Sequence, residues 1–425
     1  MIADESYRQF HREAATRLRA LYAPDPSPPA LLNGILAWHW AHACEWREAI
    51  TAALNEAELL ITMQNVHDAR YWCERALEHL SRLPEEERPA SALRVYTLAW
   101  TVLDFGGQYE EALHYAQQMY ALSSGSDLPA VEGGALLALG RTHRALRDFS
   151  AAEETLRSAL DVARRSGNVL LEADALFHLG KTQQIQGRHL EAIQNYNAAH
   201  ERGVIIDDRL TIAKIITSLG DVYRILGAGQ QANQHYARAL AIEEHLPGTV
   251  GIAIVQEKLA LSYLELGQHE QALRCQAESL MLREQIKDEV GMARAYTVLG
   301  IIHSARGDQQ TAIDAYQQGL QLELAMQNTV GQVMLHNRLG DAFRILGDYG
   351  ATSNHYAQSL ELARRLGDQM GIVLTHERLG DLAYEWGDRH AAAQNWHAAL
   401  AIRENLGHYD EQQRLREHLR QLGDL

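Results

Sequence analysis

Along residues 175–203 (ALFHLGKTQQIQGRHLEAIQNYNAAHERG) the apolar positions form two stripes, first Leu176, Leu179 and the stretch to Ile185, then Leu190, Ile193 and Tyr196. Spacings of three and four predict two amphipathic helices. Gly187 between them predicts a turn, because glycine takes the left-handed conformation that ends a helix. The pattern then returns every forty residues. A Leu-Gly pair stands at Leu139-Gly140, Leu179-Gly180, Leu219-Gly220, Leu299-Gly300, Leu339-Gly340 and Leu379-Gly380, with Leu259-Ala260 in the one gap. The turn column holds Gly107, Gly187, Gly227, Gly267, Gly307, Gly347 and Gly387, broken by Arg147. A small column holds Ala112, Ala152, Ala192, Ala232, Ala272, Ala312 and Ala392, broken by Thr352.

Self-similarity at this period predicts a solenoid, whose units bury their apolar faces only against their neighbours. The expected fold is all-α, a right-handed superhelical solenoid of antiparallel helix pairs. Nine pairs are expected, turning near residues 65, 107, 147, 187, 227, 267, 307, 347 and 387, with two helices before them over roughly 5–22 and 31–44. A polar helix over 409–422 is expected to cap the end. The domain plan is therefore 1–46 as N-terminal helices and capping hairpin, 47–408 as the solenoid and 409–425 as the C-terminal cap. The mid-helix glycine of each Leu-Gly pair costs about 1 kcal/mol of helix propensity, so its recurrence predicts close backbone packing there. The prolines fall where helices should stop: Pro24, Pro26, Pro28 and Pro29 in one linker, Pro84 and Pro89 in another, Pro129 and Pro247 at unit junctions. No segment alternates with period two, so no strand is expected.

Composition narrows the function. A net charge of −16 excludes nucleic acid as a direct partner, since the phosphate backbone needs a basic face. Only four of the 39 basic residues are Lys, so Arg, with its planar fork for carboxylate or phosphate, carries the positive charge. Cys44, Cys73 and Cys275 are far apart and read as buried thiols of a reducing compartment. The N-terminal residues MIADESYRQF lack a basic start and an apolar stretch, and no run of eighteen apolar residues occurs. A cytoplasmic protein without membrane contact is expected.

These columns resemble the tetratricopeptide repeat in its longer, forty-residue form, over about residues 47–406. The family's Leu-Gly, tyrosine-like, Ala, aromatic and second Ala positions are met at Leu339, Gly340, Phe343, Thr352, Tyr356 and Ser359, and at Leu379, Gly380, Ala392, Trp396 and Ala399. Turns such as ILGDYGA and RLGDQMG are similar to those of LGN-type scaffolds and bacterial Rap-type receptors. A second resemblance covers residues 34–80, which look like the entry to the repeat domain of MalT-like signal-transducing ATPases. Its positions are His39, Trp40, Ala43, Trp46 and Ala49, with Cys44 in the place of glycine. The stretch holds neither the nucleotide-binding nor the winged-helix module of those regulators, so their activities do not transfer.

Several apparent motifs dissolve on inspection. Gly180-Lys181-Thr182 ends like a phosphate-binding loop, but Ala175 stands where that loop needs glycine and the triplet lies mid-helix. Gly227 to Ala232 spells a dinucleotide fingerprint with a helix where a strand is required. His39 and His42 share a helix face without a third ligand nearby, and Trp38, Trp40 and Trp46 read as the sealed end of a core. No Ser-His-Asp or Cys-His set emerges, so neither enzyme activity, cofactor nor metal is expected.

The family resemblance implies that the first helix of each pair lines a concave groove. Its inward columns hold Arg141, Arg144, Lys181, Lys214, Arg224, Lys258, Arg294, Arg338, Arg344 and Arg378 against Asp174, Asp221, Glu257, Asp341, Glu377 and Asp381, a positive excess in an acidic chain. The expected binding residues are Arg141, Arg144, Lys181, Asp221, Arg224, Asn337, Arg338, Asp341, Arg344, Glu377, Arg378, Asp381 and Tyr384. The plain alternative is that Asp221/Arg224 and Asp341/Arg344 pair along their own helices. The expected function is a non-catalytic module that receives a protein or peptide with an anionic segment. A ligand-sensing domain of a MalT-like transcriptional regulator, binding a small effector, is the alternative.

Overall fold

The computed structural model describes residues 5–22, 32–63, 65–124, 128–406 and 409–423. Among them every regular element is a helix. Two helices open the chain, α1 (Glu5–Tyr22) and α2 (Leu32–His42). Nine hairpins follow: α3 (Trp46–Thr62) with α4 (Val66–Arg82), α5 (Arg88–Phe105) with α6 (Tyr109–Ser123), α7 (Pro129–Ala145) with α8 (Phe149–Ser166), α9 (Val169–Ile185) with α10 (His189–Ile205), and α11 (Arg209–Ile225) with α12 (Gly229–Glu243). The series continues with α13 (Val250–Glu265) and α14 (His269–Ile286), α15 (Glu289–Arg306) and α16 (Gln309–Ala325), α17 (Thr329–Ile345) and α18 (Tyr349–Leu366), and α19 (Gln369–Glu385) and α20 (Arg389–Leu406). A last helix, α21 (Tyr409–Leu422), packs Leu415 and Leu419 against Trp396 and Ala399 of α20. From α1 to α10, and again from α12 to α21, each helix packs on the next in sequence, as a solenoid of paired helices requires. The expected all-α fold and the nine turn positions are thus both observed. The chain divides into two compact units, Met1–Ser218 and Leu219–Leu425, the division falling within α11.

Proline and glycine mark the helix ends. Pro89 and Pro129 sit in the first turns of α5 and α7, and Pro84 and Pro247 lie between helices, while the proline linker at 24–29 lies outside the described residues. Gly187 takes φ 77°, the left-handed conformation its column demands; Arg147 holds φ 62° at the equivalent place, against the steric preference of its side chain. Several helix starts are closed by a side-chain oxygen, as where Asn168 accepts the Leu171 amide at 3.1 Å and Asp348 the Ala351 amide at 3.0 Å.

The Leu-Gly glycines meet the second helix of their own pair. A Cβ on Gly180 would lie 2.7 Å from the ring of Tyr196, and the same collision faces Gly220 with Tyr236, Gly300 with Tyr316, Gly340 with Tyr356 and Gly380 with Trp396. The missing side chain therefore lets a buried aromatic ring lie on the helix backbone. Where the column reads Ala260, the opposing residue is the thinner Gln276, fully buried. The small column, Ala112 through Ala392 with Thr352, is buried at every position.

Candidate functional site

The aromatic rings that rest on these glycines reach the polar columns with their free ends. The Tyr236 hydroxyl donates to Asp221 at 2.7 Å, the Tyr356 hydroxyl to Asp341 at 2.7 Å, and Trp396 Nε1 to Asp381 at 3.1 Å. Each of the first two carboxylates is also held by the following repeat. Lys258 Nζ binds both oxygens of Asp221 at 2.8 and 2.9 Å, and Arg378 grips Asp341 through Nε at 2.8 Å and Nη2 at 3.1 Å. In the first unit Arg141 Nη2 reaches Asp104 at 2.6 Å over the same sequence interval. A second interval joins Arg224 to Glu265, and Arg344 to Glu385 at 2.9 Å. The polar columns thus bind repeat to repeat within each unit. The expected alternative of pairing along one helix is not what forms, because Asp221 and Asp341 turn to Lys258 and Arg378 instead.

Two of the expected residues are turned into the packing. Asn337 is 7 % exposed and accepts the Thr375 hydroxyl at 3.2 Å. Glu377 accepts Arg403 Nε at 2.6 Å with both side chains buried, and Glu257 with Arg283 at 2.8 Å repeats the arrangement. Arg338, Asp341, Arg344, Arg378 and Asp381 do come together, with Leu374 and Arg414, around an open pocket of about 480 Å³ that also touches Glu377. Tyr384 is 47 % exposed, its ring 5.6 Å from Trp396. Three of the four arginines in this pocket meet a carboxylate: Arg344 meets Glu385, Arg378 meets Asp341 and, at 3.7 Å, Arg414 meets Glu377.

The first unit gathers Arg141, Arg144 and Lys181 differently. Arg141 lies 4.7 Å over the Trp100 ring and Lys181 5.3 Å over Phe177, both favourable cation–π placements. Arg144 Nη1 approaches His178 Nδ1 at 3.3 Å. Trp100, Phe177, His178, Arg141, Asp174 and Lys214 line an open pocket of about 370 Å³. Burial, then Arg144, Arg141, Lys181 and Lys214, hold the His178 imidazole well below its ordinary titration range, so its neutral Nδ1 accepts from Arg144. Burial and the neighbouring Arg141 lower the Arg144 guanidinium. Burial and Asp208 raise the Asp174 carboxyl.

Column counting missed Trp100, Asp104, His178, Glu265, Glu385 and Arg403. The signal for Asp104, Asp221 and Asp341 lay in the interval of 37 residues to Arg141, Lys258 and Arg378, one repeat less about one helical turn. The discarded motifs sit where packing puts them, Gly180 under Tyr196 and Gly227 in its turn. His39 faces His11 with their Nδ1 atoms 2.9 Å apart, and His42 Nδ1–H donates to the Trp38 carbonyl at 2.8 Å. Trp40 is buried, but Trp38 is 50 % exposed rather than sealed in a core. Burial pushes the Cys73 thiol up to about 12 and that of Cys275 to about 11, which leaves little nucleophilic thiolate.

The model of the tetratricopeptide repeat family matches residues 48–124, 133–203, 171–245 and 251–322, more than half of the chain. The chain belongs to the tetratricopeptide repeat family. Solved structures share its fold. The apo quorum sensor NprR from B. thuringiensis has a TM-score of 0.57 at 14% identity, over 84% of this chain and 97% of that one. A Rap protein complexed with competence and sporulation factor gives 0.52 at 18% identity, over 79% and 98%. The signal transduction ATPase PH0952 from Pyrococcus horikoshii, which carries a tetratricopeptide repeat sensor, gives 0.56 at 13% identity, over 87% of this chain; the match spans 54% of that protein. No curated protein sequence matches the chain. Among the described residues no helix is long and apolar enough to cross a membrane.

Proposed function

We propose that this tetratricopeptide repeat protein is a non-catalytic binding module that offers the exposed face of its first helices to a protein or peptide partner with an anionic segment. The observation that carries the reading is the convergence of one set of repeat columns on an open polar pocket in each unit. Arg141 with Lys214 stands beside Trp100 and Phe177 in the first, and Arg338 with Arg344 beside Leu374 in the second. Fork-shaped donors beside half-exposed apolar surface suit a peptide, whose carboxylates and carbonyls accept while its side chains cover carbon. The Rap protein solved with competence and sporulation factor gives the same fold a bound partner. In this reading residues 1–46 and 409–425 cap the repeats, and the three free cysteines suit a reducing, cytoplasmic setting.

One observation favours the second reading, a sensor module of a MalT-like regulator that binds a small effector. Cys44 stands where that resemblance has glycine, and it holds φ 61°, the conformation a glycine would take. The structural likeness to the Pyrococcus ATPase with a repeat sensor points the same way.

Selection from an unbiased displayed-peptide library tests the first reading. Acidic sequences should dominate the recovered peptides, and their affinity should fall as salt rises. Recovery of no acidic sequence overturns the anionic partner, and a small molecule that co-purifies and raises the melting temperature turns the choice to the second reading.

A further inference from the structure

One repeat of the second unit breaks a polar set that its neighbours keep. Asp221 and Asp341 each stand on a first helix and accept the hydroxyl of the tyrosine 15 residues on, Tyr236 or Tyr356. Each also accepts the cation 37 residues on in the next repeat, Lys258 or Arg378. At Leu261 all three positions are lost together, with Gln276 in place of the tyrosine and Val298 in place of the cation. At Ile301 only the carboxylate is lost, and Tyr316 and Arg338 remain. The Tyr316 ring lies on Gly300 as the Tyr356 ring lies on Gly340, so its hydroxyl keeps the direction of its equivalents. Half-buried Ile301 packs against the cluster that holds Tyr316. Arg338 lines the open pocket with Ser304, one turn beyond Ile301 on α15. Among the described residues neither the Arg338 guanidinium nor the Tyr316 hydroxyl has a hydrogen-bond or ion-pair partner. Burial pushes that hydroxyl up to about 12, and the Arg338 charge acts on it in the opposite sense.

We infer that Arg338 and Tyr316 form a receptor for a carboxylate from outside the chain, an acidic side chain of a bound peptide, which takes the place that Asp221 and Asp341 fill in their own repeats. The inference rests on the binding-module reading and names the point at which the anionic segment is held. A guanidinium and a hydroxyl converging on one carboxylate make charge-assisted hydrogen bonds, as Arg378 and Tyr356 do on Asp341. A short side chain fits, because an aspartate fills the equivalent places. Asp341 lies one turn from Arg338 on α17 and opposes the incoming charge, although Arg378 and Tyr356 already hold it.

Two measurements on the full chain test the inference. The first supplies the carboxylate from within. Ile301→Asp and Ile301→Asn lose the same packing, but Ile301→Asp should melt a few degrees higher, and that difference should vanish when Arg338→Gln is added to both. Equal melting of the two variants overturns the receptor. The second is calorimetric titration with a blocked hexapeptide of alternating leucine and aspartate and with its asparagine counterpart. The aspartate peptide should bind more tightly. Arg338→Gln should weaken it about tenfold and Tyr316→Phe several-fold, while Arg274→Gln, on α14 and outside the pocket, should change it less than twofold. Ile301→Asp should erase the preference for the aspartate peptide, and Ile301→Asn should keep it, a contrast that loss of folding cannot imitate. An aspartate preference that ignores Arg338→Gln and Ile301→Asp overturns the site and leaves the binding-module reading standing. No aspartate preference at all also overturns it, while the displayed-peptide selection separately decides the reading beneath it.

Discussion

Gly180 illustrates how one missing methyl group organises a repeat. Its helix loses about 1 kcal/mol of propensity, yet the Tyr196 ring occupies the space where a Cβ would stand, 2.7 Å away. Gly180→Ala should therefore lower stability by roughly 1–3 kcal/mol despite the better helix former, because the ring must leave its place. Thermal melting followed by circular dichroism checks this; a melting temperature equal to or above the parent's would refute the packing role. The recurrence of Leu-Gly made close packing at this position legible in the sequence, but not that an aromatic ring of the second helix is the partner. The hydrogen bonds from Tyr236, Tyr356 and Trp396 to Asp221, Asp341 and Asp381 were not legible. They depend on how two helices are rotated against each other, which a period of 3.6 does not fix.

At the scale of elements, the helix pairs are joined by polar contacts as well as by the apolar face. The Arg403–Glu377 pair ties α20 to α19, with both side chains buried. Arg403→Ala should cost about 3–5 kcal/mol because it strands a buried carboxylate, whereas Arg403→Met with Glu377→Leu should recover most of that loss. Denaturant unfolding of both variants measures the difference, and equal midpoints would contradict it. Between α17 and α18, His336 and His355 set their Nδ1 atoms 3.0 Å apart, so only one of them can donate. Burial, then His355, lowers His336 from 6.5 to about 4, and burial lowers His355. The unfolded imidazole takes up its proton near 6.5 and the folded one only near 4, so acid favours the unfolded chain between those values. Melting temperature should thus fall as pH drops through this window, and less steeply in His336→Gln; parallel curves would contradict the assignment. The sequence placed the helices and their turns well, since periodicity and turn glycine report them directly. It gave Asn337 and Glu377 to the exposed columns because a face one residue wide on a helix spans both groove and core.

For the whole molecule, a net charge of −16 would by itself turn an acidic partner away. Much of the positive excess counted along the expected groove is answered by carboxylates outside those columns, Asp104, Glu265 and Glu385. Each unit keeps a guanidinium whose neighbour is not a carboxylate, Arg144 beside His178 in the first and Arg338 in the second pocket. Recognition in this account is therefore local to the pockets, and the repeats position them. Hydrogen–deuterium exchange with and without a library-selected acidic peptide tests the binding-module claim most directly. The account predicts slowed exchange in the first helices α15, α17 and α19 around the Arg338–Arg344 pocket. Protection confined to the second helices of the pairs, with these three unchanged, would contradict it.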